Sequence, residues 1–140
     1  MVSICLEYVF ERSNKIYIYC SYEEGLVSND FFYNINGKIV ERHKLNDALV
    51  TEEGNANFSY DISVNRQKAV VKIINENIKE MINLCKKHDR EMPTQIKLVY
   101  DVQANKLAAD YQYELVHTND SNQTANLIAR KWFEKIKNDN

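Results

Sequence analysis

Residues 94–115 carry the most regular pattern of apolar and polar positions in the chain. Ile96, Leu98, Tyr100 and Val102 alternate with Lys97, Val99, Asp101 and Gln103. Beyond Ala104-Asn105, Leu107, Ala109, Tyr111, Tyr113 and Leu115 alternate with Ala108, Asp110, Gln112 and Glu114. Period-two alternation marks strands with one buried and one wet face. A two-residue turn at Ala104-Asn105 sets Val102 opposite Leu107, Tyr100 opposite Ala109 and Leu98 opposite Tyr111. Both apolar sets then share a face, a match that a slip of one residue would destroy. The other face carries Asp101, Asp110 and Glu114 against Lys97.

The rest of the chain reads in the same terms. Residues 4–10 are apolar apart from Glu7 and form a candidate first strand. Residues 15–22 place Ile16, Ile18, Cys20 and Tyr22 on one face, with Tyr17, Tyr19 and Ser21 on the other; their β-branched and aromatic content favours a strand. A loop around Gly25 follows, over residues 23–29. Residues 30–35 and 38–45 predict a hairpin across Asn36-Gly37, a dipeptide suited to the two positive φ angles of a type I′ turn. Residues 46–65 are polar and acidic, with a short extra strand conceivable at 57–62. Residues 66–88 are an amphipathic helix whose stripe is Val70, Ile74, Ile78, Met81, Ile82 and Cys85. A second helix covers 123–137, capped by Asp120 or Ser121. The expected fold is α+β: an antiparallel sheet of five to six strands, with a long and a short helix packed on one face.

Composition narrows the function. The chain has 140 residues, the size of one domain, here 1–140, and enough to bury about two-thirds of its unfolded surface. A net charge of −2 lacks the basic excess of a nucleic-acid binder. Three cysteines without metal-like spacing point to reduced thiols, and no apolar run is long enough to span a membrane. The first ten residues contain Glu7 and no basic stretch, unlike a secretory signal, so a cytoplasmic location is expected. His43, His88 and His117 are far apart and read as surface residues. No zinc, phosphate-loop or nucleophile-elbow motif is present. No cofactor or metal and no enzymatic activity are therefore expected.

What remains is recognition. Asp101, Asp110 and Glu114 have a bland reading, a solvated sheet face, and a sharper one, a surface that steers a basic partner. Tyr17 and Tyr19 point away from the apolar stripe and are either cross-strand fillers or interface anchors. The acidic loop with Glu52, Glu53 and Asp61 is a second candidate surface. Tyr22, Tyr100, Tyr111 and Tyr113 are expected in the core.

The order of segments resembles the YezG-like immunity proteins. Lys15-Ile16-Tyr17-Ile18-Tyr19 is similar to their opening strand. The stretch from Phe31-Phe32-Tyr33 through Asn36-Gly37-Lys38 to Ile39-Val40 is similar to the aromatic strand, turn and strand that follow it. Asp110-Tyr111-Gln112-Tyr113-Glu114 matches an aromatic-acidic strand ending, and Arg130-Lys131-Trp132 matches the closing helix. The resemblance spans residues 15–137 and rests on hydrophobic pattern and aromatic placement. Family members usually begin with a helix, where residues 4–10 read as a strand here, and the acidic insertion at 46–65 is longer than theirs. The resemblance implies an antitoxin that holds a cognate secreted toxin, a nuclease with a basic surface, inactive by tight association. It implies no catalytic residues and no direct contact with nucleic acid or membrane. The oligomeric state, monomer or homodimer, stays open. So does a second class: a secretion chaperone, or another non-catalytic binding domain, recognisable by a long apolar helix face left over for dimerisation.

Overall fold

Strand β1, Lys15–Glu23, is the middle of the sheet, and nearly all of its side chains are buried on both faces. The computed structural model describes residues 1–49 and 58–140. Around β1 the strands run in the order β3-β2-β1-β4-β5, all antiparallel, with β2 at Leu26–Ile35, β3 at Lys38–Glu41, β4 at Gln95–Asp101 and β5 at Lys106–Gln112. Helix α1 is Val2–Tyr8, α2 is Val64–Lys87 and α3 is Ala125–Asn138. The α+β class and the antiparallel sheet with a long and a short helix are as expected.

The helices, however, lie on opposite faces. On one face Ile16, Ile18 and Cys20 of β1 pack with Phe31, Tyr33, Ile35 and Ile96 against Val70, Ile74, Ile78 and Ile82 of α2 and Cys5 and Tyr8 of α1. Each fully buried aliphatic side chain in that layer contributes about 1.5–3 kcal/mol. On the other face Tyr17, Tyr19, Phe32 and Ile39 pack against Ala129, Trp132 and Phe133 of α3. Alternation along β1 therefore separates two cores, because its second face is aromatic and aromatic surface is as buryable as aliphatic.

Local chemistry sets the element ends. Asn36 and Gly37 have φ of 54° and 80°, the two left-handed positions of the expected hairpin turn. Glu24 and Gly25, at 51° and 79°, make the β1–β2 connection in the same way, so β2 starts at Leu26 and the expected loop is a tight turn. The Ser63 hydroxyl accepts the Arg66 N–H at 3.3 Å to start α2, and the Arg90 N–H donates to Cys85 O at 2.7 Å past its end, with Asp89 left-handed. Thr124, rather than Asp120 or Ser121, caps α3 by accepting the Leu127 N–H at 3.1 Å.

Two expected strands are not strands. Residues 2–8 form helix α1, with Cys5 and Tyr8 facing the core one turn apart; a short apolar run has no periodicity to distinguish helix from strand. Residues 58–62 are irregular, and Tyr60 is held by Asn46, whose side-chain oxygen accepts the Tyr60 N–H at 2.7 Å and whose amide donates to Tyr60 O at 3.2 Å. The β4–β5 register also departs from expectation by two residues: Tyr100 pairs with Leu107, Leu98 with Ala109 and Ile96 with Tyr111. The turn has four residues, 102–105, closed by Asp101 Oδ1 accepting the Ala104 N–H at 3.0 Å and by Asn105 in the left-handed region. A shift of two keeps every side chain on its expected face.

Candidate functional site

The helices cover β1, β2 and β3, reach β4 in part and leave β5 bare. Every residue of β5 is exposed, and β4 is only half-buried beyond Ile96. On the α2 side Leu107 is 56% exposed, Tyr111 47% and, just past the strand, Tyr113 48%. Tyr111 and Tyr113 are thus surface residues, not the core residues expected, because none of the described helices reaches over β5. Tyr22 and Tyr100 are partly buried against the α2-side core.

On the α3 side the hairpin presents Asp101, Asp110, Lys97 and Lys106. The register sets Lys97 opposite Asp110 and Asp101 opposite Lys106. Lys106 was not among the residues expected on this face, so the face is less acidic than its pattern implied. Among the described residues no ion pair closes to Asp101, Asp110 or Glu114. The Lys97 ammonium instead lies over the Trp132 ring, 5.7 Å from its centre. Glu114 follows β5, where its carbonyl accepts the Thr94 hydroxyl at 2.6 Å and ties the chain back to the start of β4.

The structure separates the other expected contact residues. Tyr17 and Tyr19 are 4% and 1% exposed, buried beneath α3, and cannot anchor a partner. Tyr17 lies on Phe32, and the Tyr19 hydroxyl donates to Gln95 Oε1 at 2.9 Å. Asp61 is exposed and accepts the Ser63 N–H at 3.0 Å; hydrogen bonds from the Ser63 backbone and side chain hold its carboxyl below the usual value, an arrangement that organises the start of α2. Glu52 and Glu53 lie outside the described residues. Of the expected contact residues the hairpin therefore carries Asp101 and Asp110, spread along its α3 side, with Leu107 and Tyr111 on the opposite side and Tyr113 and Glu114 just past the end of β5.

No protein-family model matches this sequence, and no curated protein matches it. At the end of β1 stands one further group that the residue pattern did not single out.

That group is Glu23, the last residue of β1, whose carboxylate is fully enclosed. It accepts the Val116 N–H at 3.1 Å, the His117 N–H at 3.3 Å, the Thr118 N–H at 3.3 Å and the Thr118 hydroxyl at 2.8 Å. Burial alone would raise its pKa; the hydrogen bonds from Thr118, Val116 and His117 outweigh it and hold the carboxyl below its ordinary value. The His117 ring stands over the pair, Nε2 3.3 Å from Glu23 Oε2 and 3.3 Å from Ser21 Oγ. His117 is thus largely enclosed, not the surface residue expected. A serine–histidine–carboxylate relay uses the two different ring nitrogens, one for each neighbour. Here both contacts fall on Nε2, so the three groups form no relay, and the carboxylate's lone pairs are taken up by a loop. Glu23 is a clasp for residues 116–118. Next to Glu24-Gly25 it looks like a solvated turn residue, and no local signal in the sequence marks it as buried.

Among the described residues no three His, Cys, Asp or Glu side chains gather as a metal-ligand set. Nor is any described helix long and apolar enough to cross a membrane.

Proposed function

We propose that this protein is an immunity protein that binds and neutralises a cognate secreted bacterial toxin, a nuclease with a basic surface, through the β4–β5 hairpin. The observation that carries the reading is the hairpin itself: its outer strand β5 lies past both helical layers, and it offers Asp101 and Asp110 on one side and Leu107 and Tyr111 on the other, with exposed Tyr113 and Glu114 just beyond. Aromatic side chains half-exposed on a rigid strand lose little conformational freedom on binding and are favoured anchors. Carboxylates without an intramolecular ion pair are free to meet the lysines and arginines with which a nuclease holds phosphates. The resemblance to YezG-like immunity proteins supports the same reading, and helix α1 stands before β1 where that family has its opening helix. A secretion chaperone has less support, since the stripe Val70, Ile74, Ile78 and Ile82 on α2 is consumed by the core and is not left over for dimerisation.

The test is co-expression with the product of the adjacent gene, which this reading expects to encode a nuclease-like domain. The reading expects the two to co-purify, the nuclease to be inactive in the complex, and Asp110→Lys with Glu114→Lys to slow association at low salt while the melting curve stays unchanged. A complex whose association rate ignores both charge reversals removes the hairpin from the interface; the absence of any complex removes the function.

A further inference from the structure

The two edges of the sheet are treated differently. Edge strand β3 has four residues, and the segment after it folds back through a 3-10 turn at Leu45–Ala48, with the Lys38 ammonium donating to Asp47 O at 3.0 Å. Edge strand β5 has seven residues in unbroken register with β4, with neither proline nor bulge, and is exposed along its whole length. In an antiparallel ladder alternate residues turn their N–H and C=O away from the neighbouring strand, so β5 presents an open row of donors and acceptors.

The residues flanking that row are self-complementary. Lys106-Leu107-Ala108-Ala109-Asp110 places a cation and an anion at equal distances from Ala108. We propose that β5 pairs antiparallel with β5 of a second copy of this chain, about a two-fold axis at Ala108, and joins two five-stranded sheets into one. In this register Lys106 faces the partner's Asp110, Leu107 faces the partner's Ala109, and Ala108 faces its own copy. The ladder within each chain extends the match, since Asp101 pairs with Lys106 and Lys97 with Asp110. One row across the four strands then reads Asp101, Lys106, the partner's Asp110, the partner's Lys97, with alternating sign at every step. The row on the other face reads Tyr100, Leu107, the partner's Ala109, the partner's Leu98, and covers the exposed Leu107 with apolar neighbours. Charge selects this register. An axis at Ala109 puts Lys106 against the partner's Gln112 and Asp110 against the partner's Ala108. An axis at Asp110 opposes two carboxylates, and cross-strand like charges repel.

The pairing needs no other protein, so its test is independent of the toxin reading. Sedimentation of the purified chain over a range of concentrations should show a shift from 16.5 kDa towards twice that mass. Asp110→Lys sets lysine against Lys106 at both ends of the interface, and Lys106→Asp sets aspartate against Asp110; each variant alone should weaken self-association by about a hundredfold. Mixing the two variants restores opposite charges at both ends and should give a heterodimer. Both positions are exposed, and unchanged circular dichroism of each variant accompanies the expected result. A wild-type chain that stays at monomer mass at high concentration overturns the proposal. So do dimers indifferent to either reversal, or a mixture of the two variants that fails to associate.

Discussion

Tyr17 lies flat on Phe32, with ring centres 4.7 Å apart and planes 7° apart, and the edge of Trp132 closes on both. This cross-strand stack is the centre of the α3-side core, and Trp132 is its only large contribution from the middle of α3 besides Phe133. Trp132→Ala should destabilise the fold by about 3–5 kcal/mol, as removal of a buried aromatic does. Chemical denaturation followed by circular dichroism measures it; a loss below about 1 kcal/mol would mean that α3 is not held by this core.

The Glu23 clasp makes stability depend on pH in a definite direction. Its native carboxyl titrates below the ordinary 4.5, so its contribution is complete above that value, where folded and unfolded chains are both ionised. It is lost as pH falls through the lower native value. Glu23→Gln replaces an acceptor with an amide that meets the N–H groups of residues 116–118 with its own donor, and should cost roughly 2–3 kcal/mol near neutrality. The variant's acid-side decline should also be shallower than the wild type's. Urea midpoints across the acidic range check both, and parallel curves for the two proteins would contradict the clasp.

The three thiols should react at very different rates. Burial pushes Cys5 and Cys20 up to about 12 each, against a smaller opposing pull from the N-terminal ammonium, and both side chains are enclosed. Cys85 on α2 is partly accessible. A thiol reagent at neutral pH should therefore modify one cysteine per chain promptly and the other two only as fast as the protein opens. Mass spectrometry of the labelled peptides identifies which; prompt labelling of Cys5 or Cys20 would show that the α2-side core is not closed.

Self-pairing and toxin binding draw on the same hairpin with different charge requirements, and Lys106 separates them. Lys106→Asp removes the cation that the second copy needs and adds an anion that a basic toxin would welcome. Its self-association should fall while its association rate with the toxin at low salt rises. Stopped-flow association measured beside sedimentation tests the pair of signs, and a fall in both would place Lys106 itself in the toxin contact.

Alternation and helical periodicity located β1, the Asn36-Gly37 hairpin, α2, the β4–β5 hairpin and α3, because each of these signals is local. What stayed hidden depends on which surfaces meet. Tyr17 and Tyr19 differ from Ile16 and Ile18 in side, not in burial, and nothing near them tells that α3 arrives from residues 125–138. Tyr111 and Tyr113 follow the same alternation as Tyr100, yet the long helix ends its reach before β5. The partner-binding candidates Asp101, Asp110 and Glu114 were legible from the pattern. Lys106 among them was not, because it turned on a turn of four residues in place of two. Glu23 was missed outright, since its hydrogen-bond donors are more than ninety residues away.

That separation orders events during synthesis. β1 and β2 leave the ribosome early and can pair as a hairpin across Glu24-Gly25. The Glu23 carboxylate at their junction must nevertheless stay hydrated until Val116, 93 residues downstream, has been made. At about 5–20 residues per second that is a wait of roughly five to twenty seconds. Throughout it, the carboxylate at the end of β1, fully enclosed in the folded protein, faces water. The clasp is therefore a latch that cannot close before its loop is made, and the nascent chain remains open at this corner until residues 116–118 emerge.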